Sequence, residues 1–142
     1  MVYIYRATVL VVALYLLSPL VVQAHHGRSM FDTEKEFTLT GVVKEFQYTN
    51  PHSWLLVDVT NKDGSVTTWG FEAEGPGVLM RNGIRKSDLA PGMKVTVTGY
   101  PMKNGQPAGS WLKTVRADGV EFNPRGNNSA VPSDSSSAAP AR

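Results

Sequence analysis

The chain contains no cysteine among its 142 residues. Disulfide bonds and thiolate metal ligands are therefore excluded, and so is a lipid anchor attached through a thioether. A surplus of one charge is also lacking, since 14 Lys and Arg face 12 Asp and Glu. A formal net charge of +2 gives no electrostatic basis for binding nucleic acid or an anionic membrane. A folded domain in this chain must therefore be stabilised by its core alone.

Catalytic motifs are also lacking. The sequence has no Gly-x-Ser-x-Gly element and no glycine-rich phosphate loop before a helix. The Asp and Glu residues fall at solvent-phase positions, and we interpret them as surface charge. We therefore expect a protein that is not an enzyme.

The N-terminal segment is organised like a signal peptide. Arg6 supplies a positive charge, and residues 7–22 are almost wholly apolar. The end of the segment, Val22-Gln23-Ala24, is typical of a signal peptidase site. The apolar run is shorter than the roughly 20 residues that a membrane-spanning helix needs. We predict cleavage after Ala24, export to the periplasm or beyond, and no stable membrane insertion of the mature chain.

Composition divides the chain into three parts. Residues 1–24 are the predicted signal peptide, residues 25–122 are predicted to form one small domain, and residues 123–142 are rich in Ser, Ala and Pro. Such a segment cannot bury enough apolar surface to offset its ordering entropy. We predict that residues 123–142 are a disordered tail.

Period-two alternation of apolar residues predicts an all-β domain. The phase changes near Phe46, which indicates a bulge, and Asp63-Gly64 predicts a hairpin turn. A short helix is predicted just before Gly83. The predicted strands cover residues 37–48, 54–59, 66–73, 93–99 and 110–115. This order predicts an OB-fold-like small β-barrel of five antiparallel strands, with one short helix between strands 3 and 4; a meander packed on one helix is the alternative.

The histidines suggest a metal site. His25 and His26 lie at the predicted mature terminus, and His52 lies between the first two strands. After cleavage, the α-amine and the imidazole Nδ1 of His25 could chelate one metal ion. His52 would then complete a three-nitrogen histidine brace, an arrangement that favours copper.

Two other interpretations of these histidines stay open. Cleavage after Gln23 would leave histidine at position three of Ala24-His25-His26, a different Cu(II) or Ni(II) motif. A terminal histidine pair can also be solvated and inert, and a loop histidine such as His52 can serve only in hydrogen bonding.

Aromatic residues suggest a second candidate site. Trp54 lies in the solvent phase of its strand, and Tyr100 lies in the loop after the fourth strand. An OB-fold binds extended ligands across its second and third strands, so Trp54 and Tyr100 are candidates for a ligand-binding face. The alternative is that Trp54 covers one end of the barrel or packs under the N-terminal arm.

With these residues in place, the chain resembles an uncharacterised family of exported bacterial proteins that is classed as a domain of unknown function. The similarity covers most of residues 24–115, and Thr49–Trp54, with the sequence Thr-Asn-Pro-His-Ser-Trp, is its most specific part. Members usually have Ser at the position of Gly27. The resemblance implies a location in the bacterial cell envelope and a small β-barrel, and it implies no activity.

Three functions are therefore expected, in order. The first is copper storage, delivery or sensing through His25, His26 and His52. The second is a metal-free binding or stress-response module that uses Trp54 and Tyr100 for a small ligand or an envelope partner. The third is an oxidative copper enzyme, for which the sequence shows no substrate surface.

Overall fold

The structure, a computed structural model, describes residues 30–126. The predicted signal peptide, residues 1–24, lies outside the described residues, and so do residues 25–29 and residues 127–142 of the predicted tail. The described part contains no helix that is long and apolar enough to cross a membrane.

Alternating inward and outward side chains build the strands. The described residues form β1 (Phe37–Gln47), β2 (His52–Thr60), β3 (Val66–Glu74), helix α1 (Pro76–Arg81), a 3-10 helix (Lys86–Leu89), β4 (Lys94–Pro101), β5 (Ala108–Arg116) and β6 (Glu121–Phe122). The five predicted strands and the short helix between the third and the fourth are confirmed. Strand β6 was not predicted.

The first five strands close into a barrel. They follow the order β3-β2-β1-β4-β5, and β3 also pairs with β5. The prediction of an entirely antiparallel barrel is wrong, because residues 70–72 of β3 pair in parallel with residues 108–110 of β5. A closed ring of five strands cannot alternate direction at every junction, since an odd number leaves one pair running the same way. The short β6 pairs with β5 further along that strand.

Strand β1 serves both halves of the barrel. Its first half pairs with β4 and its second half with β2. The register with β2 shifts between Val43 and Glu45, so the bulge that the sequence predicts near Phe46 is confirmed. The bend places the end of β1 next to the start of β2, where His52 lies.

The helical segment packs against the barrel core. Leu79 of α1, Ile84 and Leu89 are completely buried and belong to the same apolar cluster as the inward residues of the strands. The Tyr48 hydroxyl, just after β1, lies 2.8 Å from the carbonyl oxygen of Ile84 and 3.1 Å from that of Pro76. These contacts tie the segment after β3 to the end of β1.

The first residues of the predicted tail contact the domain. Pro124 is fully buried, and the side-chain amide of Asn82 donates a 2.7 Å hydrogen bond to its carbonyl oxygen. Residues 123–126 are thereby held against the barrel.

Candidate functional site

His52 is the first residue of β2, and its imidazole is paired with a carboxylate. The Nδ1 atom lies 3.1 Å from Oε1 of Glu72, a residue of the neighbouring strand β3. The His52 side chain is 46% exposed, whereas the Glu72 side chain is 13% exposed. The contact uses one ring nitrogen and leaves Nε2 for other interactions.

Burial is the largest influence on the pKa of Glu72. It raises the pKa of the carboxyl group; the charge of His52 opposes this shift, and the charge of Glu74 adds to it. The second oxygen, Oε2, is buried and has no hydrogen-bond partner among the described residues. The interpretation of the acidic residues as solvated surface charge is therefore wrong for Glu72. A buried carboxylate oxygen without a hydrogen-bond partner is unusual in a folded protein.

The loop that carries His52 is held from several sides. The Thr49 hydroxyl donates to the carbonyl oxygen of His52 at 3.2 Å, and the fully buried Ser53 hydroxyl donates to the carbonyl oxygen of Thr49 at 3.4 Å. Gly75 packs closely on the same loop, because a Cβ atom at Gly75 would lie 2.8 Å from the carbonyl oxygen of Pro51. These contacts give Thr49, Pro51 and Ser53 of the Thr-Asn-Pro-His-Ser-Trp stretch a structural role in holding the loop.

Trp54 lies on the outer surface of the barrel, as its phase in β2 predicts. It is half-buried, between the buried residues Ser53 and Leu55. Its six-membered ring lies over Gly70 of β3, because a Cβ atom at Gly70 would be 3.1 Å from Cε3 of Trp54. The absence of a side chain at position 70 therefore provides the surface on which the indole lies.

Trp54 and Tyr100 belong to one lateral row on the outer surface. The strand register pairs Trp54 with Glu72, Glu72 with Ser110, and Ser110 with Tyr100. Three inter-strand spacings, about 14 Å along the curved surface, separate the two aromatic residues, so they lie in one row without touching. Sequence reasoning missed Glu72 and Ser110, although a hairpin centred on Asp63 implies that Trp54 faces Glu72.

Arg125 covers the Tyr100 end of this row. Its Nη2 atom donates to the Ser110 hydroxyl at 2.8 Å, and its guanidinium carbon lies 5.8 Å from the centre of the Tyr100 ring. This cation–π geometry fixes the side chain. A polar cavity of about 570 Å³ opens beside Arg125, with Thr98 and Lys113 among its lining residues.

Of the three predicted histidine ligands, the structure describes only His52. His25 and His26 lie outside the described residues. Within residues 30–126, no group of three or more His, Asp or Glu side chains is arranged to hold a metal ion.

Together, the fold and these residues define a small β-barrel domain with a histidine–carboxylate pair and a partly exposed tryptophan on its outer surface. The chain belongs to the family of unknown function DUF6152, whose model matches residues 15–111. The resemblance that the sequence suggests is thus confirmed at the level of a family of unknown function. Searches of curated proteins and of solved structures found no match.

Proposed function

We propose that this is an exported protein that binds copper, or another divalent metal ion, through its processed N-terminal histidine and His52. Cleavage after Ala24 gives His25 a free α-amine. The amine, the His25 imidazole and the His52 imidazole then supply three nitrogen ligands of the type that Cu(II) prefers, with His26 as a neighbour or substitute. The role is storage, delivery or sensing of the metal and not catalysis.

The contact between His52 and Glu72 is the observation that carries this proposal. Metal-binding histidines commonly donate their other ring N–H to a carboxylate, which fixes the tautomer and the orientation of the ring. Nδ1 of His52 is 3.1 Å from such a carboxylate, and the half-exposed ring offers Nε2 to a metal ion. An unpaired surface histidine would give no comparable support.

The proposal sets a requirement on the N-terminal segment. Phe31 pairs with Met102. Across β5 and β3, Met102 lies level with Leu56 of β2. His52 lies four residues before Leu56 on the same strand. The separation from Phe31 to His52 along the surface is about 23 Å, from four inter-strand spacings and four residues of strand. The six residues from Phe31 back to His25 span about 20 Å when extended. A brace that includes His52 therefore requires a fully extended segment, with the side chains of His25 and His52 spanning the remaining distance.

Copper titration of defined N-terminal forms tests the proposal. A form that begins at His25 is compared with its His52→Ala variant, and we expect the variant to bind copper at least tenfold more weakly. A form that begins at His25 with an acetylated α-amine is the matched control, because it keeps every imidazole and removes the amine as a ligand. Unchanged submicromolar affinity in the His52→Ala variant would remove His52 from the site.

A form that begins at Ala24 separates the two copper motifs. With histidine at position three, the metal binds the amine, two backbone nitrogens and one imidazole, so His52→Ala has no effect in this form. Electron paramagnetic resonance of the two Cu(II) forms should then differ. Equal sensitivity of both forms to His52→Ala would contradict this distinction.

The second candidate function is a metal-free binding or stress-response module built on an OB-fold. The closed ring of strands, with a helix between β3 and β4, supports the OB-fold interpretation. The shared row of Trp54 and Tyr100 supports a binding face for a small ligand or an envelope partner. A Trp54→Ala protein that folds and functions normally would count against this candidate.

A further inference from the structure

The outer face of β2 has an apolar centre. Trp54 and Leu56 are successive outward residues of this strand and are both partly exposed. The indole of Trp54 lies over Gly70, and Leu56 reaches the same glycine from the other side, since a Cβ atom there would be 3.5 Å from Cδ2 of Leu56. The two side chains form a low platform on the sheet, which we call the Trp54 platform.

Carboxylates flank the Trp54 platform on both neighbouring strands. Glu45 of β1 pairs with Leu56, whereas Glu72 and Glu74 of β3 pair with Trp54 and His52. Glu45 and Glu74 are exposed, and Glu72 keeps a buried oxygen without a hydrogen-bond partner among the described residues.

No cation of the barrel neutralises these carboxylates. Among residues 30–126, none of the three glutamates forms an ion pair with a lysine or an arginine. Within the described part of the chain, Glu45 accepts a 3.2 Å hydrogen bond from Gln47. The neighbouring Lys44 is engaged elsewhere, with its ammonium 3.0 Å from the Thr68 hydroxyl. The platform is therefore an aromatic surface with an unbalanced negative border.

We propose that the Trp54 platform binds a basic peptide segment of a partner protein. A lysine or arginine side chain would lie over the indole with its charge beside the partly exposed Glu72 side chain, while adjacent apolar atoms contact Leu56. Cations are attracted to the face of an indole ring, and carboxylates form their strongest hydrogen bonds with charged donors. The proposal develops the second candidate function and is independent of metal binding.

The charge pattern distinguishes this partner from others. Phosphate-bearing ligands would be repelled by Glu45, Glu72 and Glu74, and a nucleic acid needs a basic groove along its backbone. A basic segment instead supplies the positive charge that the acidic border of the platform lacks.

Nuclear magnetic resonance of the indole N–H groups tests the proposal on protein held in a chelator. The probe is an acetylated, amidated hexapeptide of alternating lysine and glycine, and the same peptide with glutamate in place of lysine is its control. We expect the lysine peptide to shift the Trp54 signal saturably and to leave the fully buried Trp111 unchanged. The glutamate peptide should shift neither signal.

Substitutions test whether residues of the Trp54 platform contribute to the affinity for the lysine peptide. Glu72→Gln and Trp54→Phe should each weaken binding of the lysine peptide about fivefold or more. Glu34→Gln removes one exposed carboxylate outside the strands and should change the affinity less than about twofold. Retained Trp69 and Trp111 signals show that each variant is folded.

Three results would overturn the proposal. They are no Trp54 shift with the lysine peptide, equal losses in Glu34→Gln and Glu72→Gln, or equal binding of the glutamate peptide. The last result would reject a basic partner and leave only the ligand-binding face of the second candidate function. Persistence of lysine-peptide binding in His52→Ala separates this face from the metal site.

Discussion

The imidazole of His52 and the carboxylate of Glu72 form one unit across two strands, with 3.1 Å between Nδ1 and Oε1. The two residues are not direct partners in the ladder, because His52 pairs with Glu74 and Trp54 pairs with Glu72. The contact is therefore diagonal, and it turns Nδ1 towards β3. An ionised carboxylate only accepts hydrogen bonds, so the proton of a neutral His52 belongs on Nδ1 and the lone pair on Nε2.

This geometry predicts the tautomer of His52 in the metal-free protein. We expect nitrogen-15 spectra at neutral pH to show the Nδ1–H form of His52. Glu72→Ala should shift the ring towards the Nε2–H form, since the acceptor at Nδ1 is lost. Glu74→Ala is the matched control because it removes the direct ladder partner of His52 and keeps Oε1 of Glu72. An Nε2–H tautomer in the unmodified protein would contradict the prediction.

Proton competition should control metal binding at the proposed site. Imidazole binds a metal ion only in its neutral form, and its unperturbed pKa is about 6.5. We expect copper affinity of the form that begins at His25 to fall steeply below about pH 6, with proton release on binding measurable by calorimetry in buffers of different ionisation enthalpy. An affinity that is constant from pH 5 to pH 8 would exclude imidazole and amine ligands.

The local elements could be predicted from the sequence, because each has a local signal. Alternation of apolar residues defines the five strands, and the phase change near Phe46 defines the bulge in β1. The Asp63-Gly64 turn defines the β2–β3 hairpin and with it the pairing of Trp54 and Glu72. Each of these features depends on residues that are close in the chain.

Closure of the barrel could not be predicted in the same way. The parallel pairing of Gly70 with Ala108 joins segments separated by a helix and another strand, and no local pattern reports it. The burial of Glu72 likewise depends on side chains from other strands, so its phase in β3 predicts an exposed carboxylate. The contact of the first tail residues with the barrel could not be predicted either, because Arg125 binds Ser110 of β5, which is distant in the sequence.

Gly75 should be essential for the position of the His52 loop. A Cβ atom at Gly75 would lie 2.6 Å from Oδ1 of Asn50 and 2.8 Å from the carbonyl oxygen of Pro51, so Gly75→Ala must displace backbone. We expect a loss of about 1–3 kcal/mol in the free energy of unfolding, measured by urea denaturation, and shifted amide signals at His52.

Gly77→Ala is the matched control for this substitution. It lies in the first turn of α1, where the nearest atom to a new Cβ is Nη1 of Arg81 at 3.7 Å. Alanine favours a helix over glycine, so this variant should be as stable as the unmodified protein or more stable. Equal destabilisation by both alanine substitutions would show that the contact of Gly75 with the loop is not the cause.

Tyr48 should make the stability of the domain sensitive to alkaline pH. Its hydroxyl lies between the carbonyl oxygens of Ile84 and Pro76 and can donate its proton to only one of them at a time. Burial raises the pKa of Tyr48 above its usual value, and the negative charge of Asp88 raises it further. At neutral pH, Tyr48→Phe removes this donor and should cost about 1–2 kcal/mol in the free energy of unfolding.

The sign of the pH dependence follows from the raised pKa of Tyr48. Its contribution is fully present below the unfolded-state pKa of about 10 and is lost as the pH rises through the higher pKa of the folded state. The stability difference between the unmodified protein and Tyr48→Phe should therefore shrink as the pH rises above about 10. Urea denaturation of both proteins at each pH measures it, and the comparison cancels the titration of the lysines. A difference that stays constant over this range would show that the Tyr48 hydroxyl does not keep its proton preferentially in the folded domain.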